Sequence, residues 1–196
     1  MKKTLALLLT ACLFLTACSS APKDDLPAQR TQEFCTKLAA LDFEGAVELI
    51  EPEQRDELDL TELGLDDPSI APVLEAMKTF TTQNTVTVKD SKVEGDKAVV
   101  TVSVEYIDLT GKTEDLLNTA MTEATAQALL SDDIENLTEE DVMKMVCDAL
   151  AAQATDQEWE KTTADYVVSL KKDGDDWFLV DAEEELLFAL ISNFGQ

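Results

Sequence analysis

The chain is expected to fold as α+β: N-terminal helices packed on a curved antiparallel sheet of two long hairpins, with a helical insertion between the hairpins and a C-terminal helix. Three observations carry this. Residues 85–88 alternate as Thr-Val-Thr-Val and residues 98–108 form a long β-branched run, with Gly95-Asp96 between them as turn chemistry. A second pair of runs, 162–170 and 177–181, flanks Lys172-Asp173-Gly174-Asp175. The segments before, between and after the hairpins carry apolar residues at helical spacing.

Taken in order, Phe34, Leu38 and Leu41 mark the face of a first helix. Phe43, Ala46, Val47 and Ile50 mark a second, ended by Pro52. Residues 52–68 are acidic and irregular, with Leu58, Leu60, Leu63 and Leu65 as intermittent anchors. Pro68 and Ser69 open a helix with Ile70, Val73, Leu74 and Met77 inward. Between the hairpins, residues 113–130 return to helical period with Leu117, Met121 and Ala124 inside. Thr138-Glu139-Glu140-Asp141 resembles a capping box, and Val142, Met145, Val146 and Ala149 follow as a buried stripe. A last helix carries Leu187, Leu190, Ile191 and Phe194 and stops at Gly195.

Ahead of this domain stands an address. Lys2 and Lys3 precede an apolar run from Leu5 to Leu15 that only Thr10 interrupts, and small residues follow. This is the layout of a secretory signal. The run is too short for a helix crossing a bilayer core of ~30 Å. Leu15-Thr16-Ala17-Cys18 resembles the bacterial lipobox, which implies diacylglycerol on the Cys18 thiol and cleavage just before it. Residues 1–17 are therefore expected to be a lipoprotein signal peptide, residues 18–27 a lipidated tether, and residues 28–196 a single domain. Two acyl chains, at ~0.8 kcal/mol per buried CH₂, hold a protein on a membrane where one does not. The expected localisation is the extracytoplasmic side of the cell membrane.

The charge narrows the partners. The chain has 41 acids, 15 Lys and Arg and no His, a net −26. Loss of the leader removes Lys2 and Lys3 and no acid, which leaves −28. Nucleic acid is excluded because phosphate binding needs a basic face. Anionic headgroups repel such a globule, so the lipid on Cys18 is its expected contact with the membrane. The same charge opposes self-association, and a monomer is expected.

The absence of histidine removes Ser-His-Asp and Cys-His catalysis in their usual forms and His-ligated metal sites. There is no GxSxG, Walker lysine loop or GxGxxG. Asp173-Gly174-Asp175-Asp176 lacks calcium-loop spacing and suits a hairpin turn. The acids of residues 138–141 and 183–185 sit at helix starts, where the macrodipole favours them. No metal and no cofactor are expected.

Cysteine use is more informative. Cys12 leaves with the leader and Cys18 is acylated, so Cys35 and Cys147 remain as an even pair in an oxidising compartment. A disulfide between them is expected, worth about 4–5 kcal/mol in the chain-entropy model. Two free buried thiols are the alternative.

Residues 99–106 in the first hairpin, and Lys171-Lys172-Asp173-Gly174-Asp175-Asp176-Trp177-Phe178-Leu179-Val180 in the second, resemble small bacterial lipoproteins of the nuclear transport factor two-like (cystatin-like) cone fold. There a charged glycine turn leads to a Trp in the closing strand. The resemblance covers element order over residues 28–195; the helical excursion over 112–158 departs from the simplest pattern. It implies a fold rather than an activity. It also implies a pocket between sheet and helices, where enzymes of this fold use carboxylates and tyrosines. Strand parity puts Tyr106 and Asp108 on one face with Ala98, Val100, Val102 and Val104, and Tyr166 with Ala164, Val168 and Leu170. Tyr106, Asp108, Tyr166 and Asp181 are thus the catalytic candidates, set against tyrosines that simply plug the core.

The expected function is a membrane-anchored, non-enzymatic binding or accessory module of the cell envelope, with a small ligand or an envelope protein as its partner. A hydrolase, isomerase or dehydratase using the pocket is the second reading. A structural envelope protein with a filled core is the third.

Overall fold

The computed structural model describes residues 25–55, 71–131, 136–155 and 158–194. The leader, Cys18, the leucine anchors at Leu58, Leu60, Leu63 and Leu65, the helix opening at Pro68, Ser69 and Ile70, and the stop at Gly195 lie outside the described residues.

Helix α1 (Leu26–Ala39) starts inside the expected tether. The Asp25 carboxylate accepts from the Ala28 N–H at 3.1 Å, and Pro27 sits in the first turn, where N–H groups have no helical partner. The Ser91 hydroxyl also donates to Asp25 Oδ1, at 3.0 Å. Leu41 does not continue the helical face. It takes φ +56°, and the chain turns there into α2 (Phe43–Val47), capped by Asp42 accepting from the Gly45 N–H at 2.9 Å.

Helix α2 ends before Ile50, which pairs in parallel with Leu179 instead. The Glu51 N–H donates to Leu179 O at 2.8 Å and the Leu179 N–H donates to Leu49 O at 2.9 Å. Pro52 opens the short helix α3 (Pro52–Arg55) rather than simply closing α2, since its missing N–H costs nothing at a helix start.

The sheet is antiparallel in the order β1-β2-β3-β4, with β1 (Thr85–Glu94), β2 (Lys97–Ile107), β3 (Lys161–Asp173) and β4 (Asp176–Ala182). Both hairpins form where the turn chemistry placed them; Gly95 and Gly174 take φ +67° and +60°, open to glycine without strain. Extra residues Lys89 and Val180 bulge the edge strands. Beside β4 the edge is covered by the Ile50 bridge. On β1 the bulge and the charges of Lys89, Asp90, Lys92 and Glu94 protect it.

One face of the sheet buries Val88, Val100, Val102, Val104, Val168, Leu170, Trp177 and Leu179. Against it pack Phe34 and Cys35 of α1, Ala46 of α2, and Leu186, Ala189 and Leu190 of α7 (Glu184–Leu190). Here Leu186 rather than Leu187 is inside, and α7 stops at Leu190 because Ser192 and Asn193 turn left-handed, with the Asn193 N–H donating to Phe188 O at 2.7 Å.

A second core lies at the far end of β2. Helices α4 (Ala71–Thr81), α5 (Thr113–Leu130) and α6 (Glu139–Thr155) bury Ala76, Phe80, Leu116, Ala120, Cys147 and Leu150 around Ile107 and Leu109. The cap of α6 forms as expected: the Thr138 N–H donates to Asp141 Oδ2 at 2.9 Å and the Asp141 N–H donates to Thr138 Oγ1 at 3.2 Å. The buried stripes agree in part: Ala124 and Ala149 are inside as expected, and Leu117 and Val146 are half-buried against the core. On α5, Leu116 and Ala120 are covered while Met121 is exposed. On α6, Cys147, Leu150 and Ala154 are covered while Val142 is exposed. Both helices carry two apolar stripes; packing against α4 selects the one on α6, and packing against α6 selects the one on α5.

Candidate functional site

Of the four catalytic candidates, two come together. Tyr106 and Tyr166 share the inner face of neighbouring strands and are 7% and 8% exposed. Burial, then the Tyr106 hydroxyl and the charges of Glu183 and Glu185, push the Tyr166 phenol well above its usual range. Tyr166 therefore keeps its proton at neutral pH and is a poor base.

The two aspartates go elsewhere. Asp108 lies just past β2, where its Oδ1 accepts from Asn193 Nδ2 at 2.9 Å, Thr110 Oγ1 at 2.7 Å and the Thr110 N–H at 3.1 Å. The Asn193 amide first, then Thr110, hold its carboxyl below the usual aspartate range. Asp108 closes a turn against the C-terminal segment. Asp181 pairs with Ser169, whose neighbours Val168 and Leu170 point inward, so Asp181 stands exposed on the opposite face of the sheet. The expected convergence of Tyr106, Asp108, Tyr166 and Asp181 is thus corrected. Parity placed the tyrosines, but Asp108 lies beyond the last paired residue of β2 and the Val180 bulge resets the alternation before Asp181.

The cysteines are also corrected. Cys35 and Cys147 are free thiols in separate cores, Cys35 between α1 and the sheet, Cys147 in the α4–α5–α6 layer. An even count states how many thiols can pair and nothing of how far apart they stand. Burial pushes the Cys35 thiol up to about 12 and raises that of Cys147 as well. Since the thiolate is the nucleophile, we expect native protein at neutral pH to resist alkylation at Cys35. After unfolding without reductant, both cysteines should be modified, as mass spectrometry of the tryptic peptides would read. A Cys35–Cys147 peptide pair joined by a disulfide would refute this.

Among the described residues, a cleft opens at the start of the domain. Leu26, Gln29, Arg30 and Glu33 of α1 face Asp175, Asp176 and Trp177 of the second hairpin across a cleft of about 240 Å³. Arg30 bridges the cleft, 3.3 Å from Glu33 and 2.9 Å from Asp176. No local pattern in the sequence links Arg30 to Asp176, 146 residues away. The volume falls below the ~300–1,000 Å³ of typical ligand sites. Partly exposed ion pairs such as these are worth up to about 1 kcal/mol, so the cleft serves best as a latch between α1 and the hairpin turn. Among the described residues, no three Cys, Asp or Glu side chains converge as a metal ion would require.

No family model matches the chain, and no curated protein matches it. Among solved structures, a SEC-C motif containing protein from Rhodopseudomonas palustris is similar at 13% identity, over 79% of this chain and 83% of its own, with a TM-score of 0.35. Likeness at that level supports no inference about this chain.

Proposed function

We propose that the chain is an extracytoplasmic lipoprotein, held by diacylglycerol on Cys18, and that it works as a non-enzymatic accessory module of the cell envelope through its surface rather than an interior pocket. The observation that carries the second half is the fate of the four catalytic candidates. They do not converge, and the shifts of Tyr166 upward and Asp108 downward move both away from the range a neutral-pH acid or base needs. The buried tyrosine pair sits where a cone would keep its pocket, which supports a filled member of the resembled cone fold. The lipobox Leu15-Thr16-Ala17-Cys18 supports the first half. No helix among the described residues is long and apolar enough to cross a membrane. Attachment therefore falls to the lipid in this reading.

Metabolic labelling with an alkyne fatty acid tests the anchor. The wild-type chain is expected in the membrane fraction and labelled. Cys18→Ser should abolish the label and leave an uncleaved precursor. Wild-type chain that is unlabelled, or label that survives the substitution, refutes the anchor.

A further inference from the structure

Helices α5 and α6 form an antiparallel hairpin: Gln153, late on α6, donates from its amide to the carbonyl of Leu116, early on α5, at 3.3 Å. The hairpin packs chiefly on itself and on α4, and it reaches the sheet only around Ile107 at the end of β2. Its base is well covered, by Leu116 and Ala120 on α5 and by Leu150 and Ala154 on α6. Its tip is not. Leu129 and Leu130, in the last turn of α5, are 69% and 85% exposed, and Val142 and Met143, in the first turn of α6, are exposed as well. Val142 and Met143 continue the stripe that half-buries Val146 and buries Cys147 and Leu150 one and two turns later. Four large apolar side chains at one end of a hairpin add nothing to either core, and solvent-exposed patches of this kind mark contact sites.

The charge around the tip selects the occupant. Among the described residues between 113 and 155 stand seven acids and one base, Lys144. That base is held by Asp148. Glu123, Glu139, Glu140 and Asp141 are exposed along these helices. The arrangement repels a second copy of a chain carrying −26 and repels anionic lipid. It suits a helix with one apolar and one basic face, which lays its leucines on the tip and its lysines against the rim.

We propose that the tip of the α5–α6 hairpin is the docking surface of this protein, and that its partner presents a cationic amphipathic helix. The proposal deepens the accessory role put forward above and rests on it for its setting, though the binding needs no lipid. The chain enters the domain at Asp25, beside Ser91 of the first hairpin, at the sheet end that carries both hairpin turns. Helices α5 and α6 join the sheet at its other end, after β2 and before β3. A protein anchored through Cys18 therefore has its helical layer attached at the end away from the tether.

The probe is a synthetic helix of leucine and lysine, about 18 residues so that it can fold on contact, measured on the full chain immobilised on a biosensor surface. The expected result is saturable binding that weakens as salt rises, with no binding of the leucine–glutamate counterpart. Leu129→Ser with Leu130→Ser, and Val142→Ser with Met143→Ser, should each lower affinity at least tenfold while circular dichroism stays unchanged. Glu139→Gln with Glu140→Gln should lower it several-fold. Val99→Ser with Val167→Ser, a control on the exposed face of the sheet, should leave it intact. Equal binding by the tip variants, or equal loss in the sheet control, overturns the proposal, because the lysines would then be adsorbing to acidic surface in general. Failure here leaves the labelling result at Cys18 untouched, and failure of the anchor leaves this measurement untouched.

Discussion

Phe80→Ala is expected to destabilise the protein by about 4 kcal/mol, within the range for removing a buried aromatic ring. Phe80 is fully buried near the end of α4, among Ile107, Leu109, Leu150 and Ala154. Its ring meets that of Trp159 edge to face, with centroids 5.5 Å apart and planes at 67°, a geometry worth about 1 kcal/mol beyond the area it buries. The same substitution leaves a cavity among Ile107, Leu109, Leu150 and Ala154. For a domain of this size the melting temperature should fall by roughly 10 °C. Phe80→Leu, which keeps most of the volume, should cost about 1.5 kcal/mol. Urea unfolding followed by tryptophan fluorescence measures both. A loss below about 1 kcal/mol for the alanine variant would show that the helical core is not packed around this ring.

Asn84→Ala is the second large effect, at about 3 kcal/mol, from roughly 1 kcal/mol for each of several hydrogen bonds lost. Asn84 precedes β1 and ties three separate parts of the chain together. Its amide nitrogen donates to Ala189 O at 3.3 Å, Leu190 O at 3.0 Å and Ser192 Oγ at 3.2 Å. Its carbonyl accepts from the Ile107 N–H at 3.3 Å. Ser192 is fully buried and left-handed, and its own carbonyl accepts from the Leu109 N–H at 3.0 Å. Removing Asn84 therefore takes the amide donor from Leu190 O and one of the donors from Ala189 O, which keeps the Ser192 N–H at 3.0 Å, and it frees the turn that ends the helix. Asn84→Asp separates hydrogen bonding from shape. A carboxylate cannot donate to the Ala189 and Leu190 carbonyls, so this near-isosteric variant should lose nearly as much at neutral pH. Its charge is disfavoured in the folded state, which raises its folded pKa, so stability should return as pH falls through that value and the acid regains a proton to donate. Thermal melts across that range decide it; a neutral effect of Asn84→Asp would show that the amide donations carry no weight.

Much of the fold was legible in advance. Thr85-Val86-Thr87-Val88, the β-branched run of β2 and the glycines of the two turns are local signals, each written in a few adjacent residues. They placed both hairpins and the inward face with Val100, Val102, Val104, Tyr106, Tyr166 and Val168. The cap at Thr138 and Asp141 was equally local. Helix faces were less legible. Leu116 and Leu117, or Val142 and Met143, lie about 100° apart around the helix, each starting its own apolar stripe, and periodicity alone does not rank the two. Ile50 continues the helical spacing of Phe43, Ala46 and Val47, and nothing nearby announces that Leu179, far along the chain, pairs with it. The exposed tip had a faint signal: Leu129 and Leu130 fall off the stripe of α5 and stand directly before Ser131 and two aspartates.

What the sequence by itself determined is the address ending at Cys18 as an expectation, the excess of acids, the lack of histidine chemistry, the α+β class and the parity of the strands. These follow from composition and from a repeat of two or of three to four residues, set by covalent geometry. The tertiary structure alone decided that Tyr106 and Tyr166 share one buried face while Asp108 and Asp181 do not join them, that Cys35 and Cys147 lie in different cores, and that Leu129, Leu130, Val142 and Met143 stay exposed. Each of those outcomes depends on where a second element begins or stops. A bulge at Val180, a turn at Ser192 or the length of α4 changes which atoms meet without changing the local pattern that a sequence displays.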